Sequence, residues 1–219
     1  VICYLLFIDC KAAFDRVLRT LMFTKLAKFD GMDDDSWRML CRMYEKTDAK
    51  LYDRILKIDS GIREGGLSSP GCFNIFTNDL TTDLKATGVG FQIGVILLCV
   101  LLFADDIALV CDSPEGLQKL LDCVWKFAKE NHISFGIKKC SVVICDCNVD
   151  EAEEKRAEVD TQSKGHVWKL GDRTLETVTA YKYLGTEETL KDDYTQFLAR
   201  KDREVTVSVF FKVLETALR

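Results

Sequence analysis

Two adjacent aspartates, Asp105 and Asp106, interrupt an otherwise apolar stretch, Leu-Leu-Phe-Ala-Asp-Asp-Ile-Ala-Leu-Val at 101–110. A run of this kind reads as buried strand. An ionised carboxylate in such surroundings must be paired, protonated or bound to a cation. The pair alone leaves two readings open. It is a polar hairpin turn, where Asp is common, or it is a cation site. What else folds to the same place decides between them.

The rest of the chain supplies the neighbours. Residues 2–8 are almost wholly apolar and rich in β-formers, which suits a strand buried on both faces, and the run ends on Asp9. Asp33-Asp34-Asp35-Ser36 supplies a helix start, after which Trp37, Leu40, Cys41 and Tyr44 recur at helical spacing. Residues 49–60 read as a short hairpin. Ser69-Pro70 is a good N-cap and N1 pair; Phe73, Phe76, Leu80 and Leu84 follow on one face, and Gly88 ends the helix. β-like runs follow at 89–93, 95–103 and 107–111. Ser113-Pro114-Glu115 opens a second helix whose apolar face is Leu117, Leu120, Leu121, Val124 and Phe127. Residues 137–145 are again strand-like. Residues 149–165 are charged and polar, a linker or solvated helix. Gly171-Asp172 marks the turn of a later hairpin, and 192–217 reads as a final helix.

With 20–68 set aside as an insertion, the order is β-α-β-β-α-β, so the expected class is α+β with a ferredoxin-like split βαβ core. Strand one is 2–9, the central hairpin spans 95–111, and strand four is 137–145. In that topology strand one and the hairpin share an antiparallel sheet. The end of strand one and the hairpin turn then fall at the same edge, which brings Asp9 to Asp105 and Asp106. A cluster of hard oxygen donors without His or thiolate suits Mg²⁺ or Mn²⁺. Two such ions can hold the attacking and leaving oxygens of an in-line displacement.

Composition bounds the alternatives. The net charge of −5 argues against a broad nucleic-acid footprint, although net charge averages over faces and cation-binding carboxylates add to it. The ten cysteines lie mostly in apolar runs with no Cys-x-x-Cys pair, and there are two histidines. This reads as an intracellular protein with buried reduced thiols rather than a zinc or disulfide scaffold. The first residues lack an initiator Met and a basic lead, so they read as a strand beginning mid-chain, with no signal peptide. The longest apolar run, 93–104, is about two-thirds of a membrane span and ends on the aspartates. No Gly-x-Gly-x-x-Gly, Walker, Gly-x-Ser-x-Gly or His-Glu-x-x-His pattern occurs, which argues against a small-molecule enzyme.

Five blocks then occur in order. They are Phe7-Ile-Asp9-Cys-Lys-Ala-Ala-Phe14-Asp15-Arg-Val17; Gly61-Ile-Arg63-Glu64-Gly65-Gly66-Leu67-Ser-Ser-Pro70; Phe103-Ala-Asp105-Asp106; Ile133-Ser-Phe-Gly136-Ile-Lys-Lys139-Cys; and Tyr181-Lys-Tyr183-Leu184-Gly185. Together they resemble the reverse transcriptases of non-LTR (LINE-type) retrotransposons, from Tyr4 to about Gly185. The resemblance implies a palm-domain fragment of an RNA-directed DNA polymerase, with two Mg²⁺ or Mn²⁺ ions, an RNA template, a DNA primer and dNTPs. It implies metal ligation by Asp9, Asp105 and Asp106, with Lys139 as the general acid for pyrophosphate departure. Phe14 is implied as the steric gate against a ribose 2′-hydroxyl, and core packing is open to it as well. Arg63, Glu64 and Gly65 are implied at the nucleotide, and Tyr183, Leu184 and Gly185 in the primer grip. Nuclear action follows from the family alone.

On this reading 1–185 is the palm with a partial fingers-like insertion at 20–68, and 186–219 is a helical extension that starts a thumb. The basic fingers segment before the first block is absent, so the isolated chain is expected to show little activity. Three positions depart from the pattern: Glu64 stands where Gln is usual, Leu67 where Pro is usual, and Gly136 where Asn is usual. Glu64, Gly136 and the truncation expected on this reading support a second one, a degenerate non-catalytic remnant serving at most as a binding or scaffolding module. A group II intron-type maturase palm is a third.

Overall fold

The computed structural model describes residues 2–45, 47–63, 65–146, 166–178, 180–183 and 186–189. The expected linker at 149–165 and the final helix at 192–217 lie outside these residues.

Strand β1 (Ile2–Asp9) is the centre of a five-stranded sheet. Helices α1 (Ala13–Arg16), α2 (Arg19–Ala27) and α3 (Asp34–Glu45) follow, then the hairpin β2 (Asp48–Leu51) and β3 (Arg54–Lys57). Asp33 starts α3 as its sequence implied: its carboxylate accepts from the Ser36 amide at 2.8 Å and from the Ser36 hydroxyl at 2.6 Å. Helix α4 (Ser69–Ala86) carries Phe73, Phe76, Leu80 and Leu84 inward. Its start differs from the expected one. Ser68 holds the N-cap position, and Ser69 lies inside the first turn with its hydroxyl donating to the Arg63 carbonyl. The serine ties the preceding loop to the helix instead of capping it.

The apolar run at 95–103 is not one strand. It breaks at Cys99 into β5 (Ile96–Leu98), which pairs with β4 (Phe91–Ile93), and β6 (Val100–Phe103), which pairs with β7 (Asp106–Cys111). The two halves face different partners, which an apolar run cannot reveal. Helix α5 (Pro114–Asn131) buries all five residues of its expected face. The expected strand at 137–145 begins as a 3₁₀ turn, Ile137–Lys139, and becomes β8 at Ser141–Asp146. Short strands β9 (Lys169–Leu170) and β10 (Arg173–Thr174) form a hairpin turning at Gly171-Asp172; β11 (Glu176–Thr177) and the pair β12 (Ala180–Tyr183) and β13 (Thr186–Thr189) complete the order.

The large sheet runs β11-β8-β1-β7-β6. Neighbours among its four longer strands are antiparallel, as the β-α-β-β-α-β order requires, and β11 adds to β8 in parallel. Successive strand residues point to opposite faces. Tyr4, Leu6 and Ile8 therefore join the core under α4 and α5, while Cys3, Leu5 and Phe7 pack with Phe91 and Ile93 on the other face. Burial on both faces explains why β1 is apolar without alternation. Cys10, Cys72, Cys99, Cys111 and Cys140 are likewise buried. Among the described residues no helix is long and apolar enough to cross a membrane.

Candidate active site

The register places Asp9, the last residue of β1, directly opposite Asp106, the first of β7. Asp106 also pairs with Phe103 across a two-residue turn made by Ala104 and Asp105. Ala104 takes a left-handed φ of 53°, a conformation that tight hairpin turns demand and that non-glycine residues seldom adopt. The register thus brings the three acidic residues to one end of the sheet, two at strand ends and one in the turn.

Electrostatics at this edge are unfavourable without a counter-charge. Burial pushes the Asp106 carboxyl above its ordinary range, Asp105 and then Asp9 push it further, and Lys139 pulls it back. Lys139, on the 3₁₀ turn, sets its ammonium 3.1 Å from Asp9 Oδ1. Burial raises the Cys10 thiol to about 12, with Asp105, Cys140, Asp9 and Asp106 adding to the effect. Cys10 is therefore a neutral thiol, and the donors at this edge are carboxylate oxygens. A carboxyl raised on folding keeps its full contribution to stability in acid and loses it as pH climbs through the raised value. Asp106→Asn is accordingly expected to raise Tm by a few degrees at neutral pH and to leave it unchanged below the ordinary carboxylate range. Thermal unfolding at the two pH values checks this, and an unchanged Tm at neutral pH contradicts it.

The fourth block reaches the edge by running along the end of the first. Lys11 donates its amide to Ser134 O at 2.8 Å, Gly136 donates to Asp9 O at 2.9 Å, and Arg16 donates through its guanidinium to Ser134 Oγ. Gly136 has a specific role here: a Cβ at this position would sit 2.6 Å from Asp9 Oδ2. The absent side chain leaves room for the carboxylate in the rotamer that meets Lys139.

The second block packs on the first through backbone. Gly61 and Ile62 donate to the carbonyls of Val17 and Phe14 at 2.8 and 2.7 Å. Gly61 has a φ of 84°, and a Cβ there would lie 2.9 Å from the Asp15 carbonyl oxygen. Its glycine serves this chain-to-chain approach. Gly65, with φ of 75°, has open space around it. Phe14 is half-buried and stacks on Phe73 with centroids 4.7 Å apart. Arg63 is engaged elsewhere: its guanidinium donates to Met43 O and to Thr47 Oγ1, 5.3 Å from the Tyr44 ring centroid. Buried Arg19 lies 5.0 Å from the same ring and donates to Gly61 O and Ile58 O, a brace that nothing in its sequence surroundings announced. Glu64, Leu184 and Gly185 lie outside the described residues. Tyr183 is in β12, in register with Thr186.

Carboxylates brought to one end of the sheet repel one another, and oxygen donors of this kind suit a hard divalent cation, which would relieve that repulsion. Among the described residues no group of three or more His, Cys, Asp or Glu is gathered closely enough to enclose an ion. Asp9 is turned to Lys139 instead.

An antiparallel sheet backed by two helices, with acidic residues at the end of a central strand and on the adjacent hairpin turn, is a palm of the polymerase type. The profile of the family described as reverse transcriptase (RNA-dependent DNA polymerase) matches residues 2–187, and the chain belongs to that family. Its relatives include proteins of non-LTR elements. It is 27% identical over 186 residues to the Retrovirus-related Pol polyprotein from type-1 retrotransposable element R2 of Nasonia vitripennis, covering 83% of this chain and 18% of that protein. It is 24% identical over 148 residues to the RNA-directed DNA polymerase from mobile element jockey of Drosophila funebris, covering 63% and 16%. The chain thus spans under a fifth of the length of either relative. Among solved structures, apo telomerase from Candida tropicalis truncated from its C-terminal domain superposes with a TM-score of 0.51 at 15% identity, covering 70% of this chain and 32% of that one. Telomerase from the same organism in complex with a TWJ fragment of telomeric RNA gives 0.51 at 13%, covering 65% and 26%. These likenesses concern the fold.

Proposed function

We propose that the protein containing this chain is an RNA-directed DNA polymerase that adds nucleotides from dNTPs to a DNA primer 3′-hydroxyl on an RNA template, with residues 1–185 as its palm. The observation that carries this reading is the register that sets Asp9 against Asp106 beside the turn residue Asp105. Family membership supports the choice of template. In this reading 20–68 is a fingers-like insertion and 186–219 begins a thumb.

Asp9, Asp105 and Asp106 would hold the divalent ions, which when bound activate the 3′-hydroxyl and neutralise the triphosphate and departing pyrophosphate. The chain's own residues then have distinct tasks. Lys139 presents an ammonium at the same edge and donates to the leaving pyrophosphate. Phe14, fixed by its stack on Phe73, presents its ring to the nucleotide sugar. Arg63 acts through the loop: its guanidinium is anchored on Met43 O and Thr47 Oγ1, and Glu64 and Gly65 would meet the nucleotide. Tyr183, in β12, would contribute to the primer grip, a role the resemblance also gives to Leu184 and Gly185.

Primer extension on an RNA template tests the proposal. The protein containing this chain is expected to extend a DNA primer with Mg²⁺ or Mn²⁺ and to stop when EDTA is added. No extension with either ion, or extension indifferent to EDTA, overturns it. The first of those outcomes is the one the non-catalytic reading expects.

A further inference from the structure

Lys139 sits on a three-residue 3₁₀ turn, with a side chain 71% exposed, and among the described residues its ammonium meets Asp9. A long flexible side chain of this kind is aimed by its backbone, since ordering its free rotamers costs entropy. The turn itself is held by two short-range hydrogen bonds, Lys139 N–H to Gly136 O at 2.6 Å and Cys140 N–H to Ile137 O at 3.1 Å. A third restraint comes from far along the chain. The phenol of Tyr181 in β12 donates to the Lys139 carbonyl at 2.6 Å. The Tyr181 ring lies flat on Phe7, two residues before Asp9, with centroids 4.5 Å apart and planes 2° from parallel.

Tyr181 therefore touches both halves of the Asp9–Lys139 pair indirectly: the strand that delivers Asp9 through its ring, and the turn that delivers Lys139 through its hydroxyl. Burial raises its phenol to about 12, so it stays protonated and remains a donor at any working pH. We propose that Tyr181 is a positioning residue, which holds the Lys139 turn against the end of β1 and so keeps the Lys139 ammonium at the carboxylate edge. The role in catalysis rests on the polymerase reading above; the structural tie does not.

Tyr181→Phe separates the two contacts, because it keeps the stack on Phe7 and removes the hydroxyl. Two measurements on the protein containing this chain test the idea. In hydrogen exchange, the Lys139 and Cys140 amides of the variant are expected to exchange about 3- to 10-fold faster, the range that loss of one net hydrogen bond supports, with β1 amides unchanged. In single-nucleotide extension, kcat is expected to fall about 10-fold while the KM for dNTP stays constant, as for an interaction used in the chemical step alone. In a Lys139→Ala background Tyr181→Phe should then cost nothing further, since its effect passes through Lys139. Tyr181→Leu, which removes the stack as well, should show the same kinetic signature with a lower Tm.

Unchanged exchange at Lys139 and Cys140 overturns the tie. Faster exchange with a kinetic loss that adds in full to that of Lys139→Ala overturns the positioning role. A wild-type protein that extends no primer refutes the polymerase reading instead, and the exchange result then decides the Tyr181–Lys139 tie by itself.

Discussion

Asp105→Ala is expected to lower RNA-templated primer extension by about 10²- to 10³-fold, the scale seen when one main electrostatic element of a preorganised site is removed. The loss should appear in kcat, because in the proposed mechanism the carboxylate acts on charge that develops during phosphoryl transfer. Stability should not fall with it. Asp105 is one of two carboxylates that push Asp106 upward, so its removal relieves repulsion at the edge. It occupies the turn between β6 and β7, and the cross-strand pairing of Phe103 with Asp106 does not depend on its side chain. Steady-state extension together with a thermal scan separates the two effects. A variant that extends at the wild-type rate removes Asp105 from the site, and a variant that is inactive because it unfolds leaves a lowered Tm as its signature.

Trp168→Ala is expected to cost about 3–5 kcal/mol of unfolding free energy, the usual range for emptying a large aromatic site in a core. Trp168 is 1% exposed. It packs 5.9 Å from the Tyr4 ring and 4.4 Å from His166, and its indole N–H donates to Thr177 Oγ1 at 3.2 Å. It thereby fastens the 166–178 segment to β1, and that segment brings β11 alongside β8 and leads to β12. Gly171 shows how closely the hairpin is docked: its φ is 62°, and a Cβ there would lie 2.3 Å from Trp125 Cε2. Urea denaturation followed by circular dichroism measures the loss; a midpoint unmoved by the substitution would contradict this role. Because Tyr181 follows a few residues later, partial undocking should also weaken the restraint on Lys139.

The elements that sequence made legible are those whose local pattern matches their final surroundings. Strand β1 is apolar throughout because both its faces are covered, and α4 and α5 show one inward stripe because only one face is covered. Asp33 caps α3 through contacts three residues away. The carboxylate edge was legible for a related reason: Asp9 and Asp106 stand at the ends of apolar strands, so the β-α-β-β-α-β order was enough to bring them together.

What stayed hidden depends on tertiary partners. The break at Cys99 lies inside a uniformly apolar run, where only the change of partner from β4 to β7 distinguishes the halves. Lys139 reaches Asp9 across 130 positions, and whether it meets the carboxylate or solvent is decided by the 3₁₀ turn and by Gly136. Gly61 and Gly136 each make room for part of the first block, a purpose that their own sequence surroundings do not signal. Arg63 and Arg19 converge on Tyr44 through three separate segments, a geometry with no local signature.

Direct titration of Mn²⁺, followed by electron paramagnetic resonance, asks most simply whether these carboxylates hold a cation. In the presence of primer, RNA template and dNTP, the wild-type protein is expected to bind Mn²⁺, and Asp105→Ala to bind it at least about tenfold more weakly. Equal binding by the two proteins, or no binding by the wild type, would contradict the proposal that this sheet edge is a metal-dependent centre.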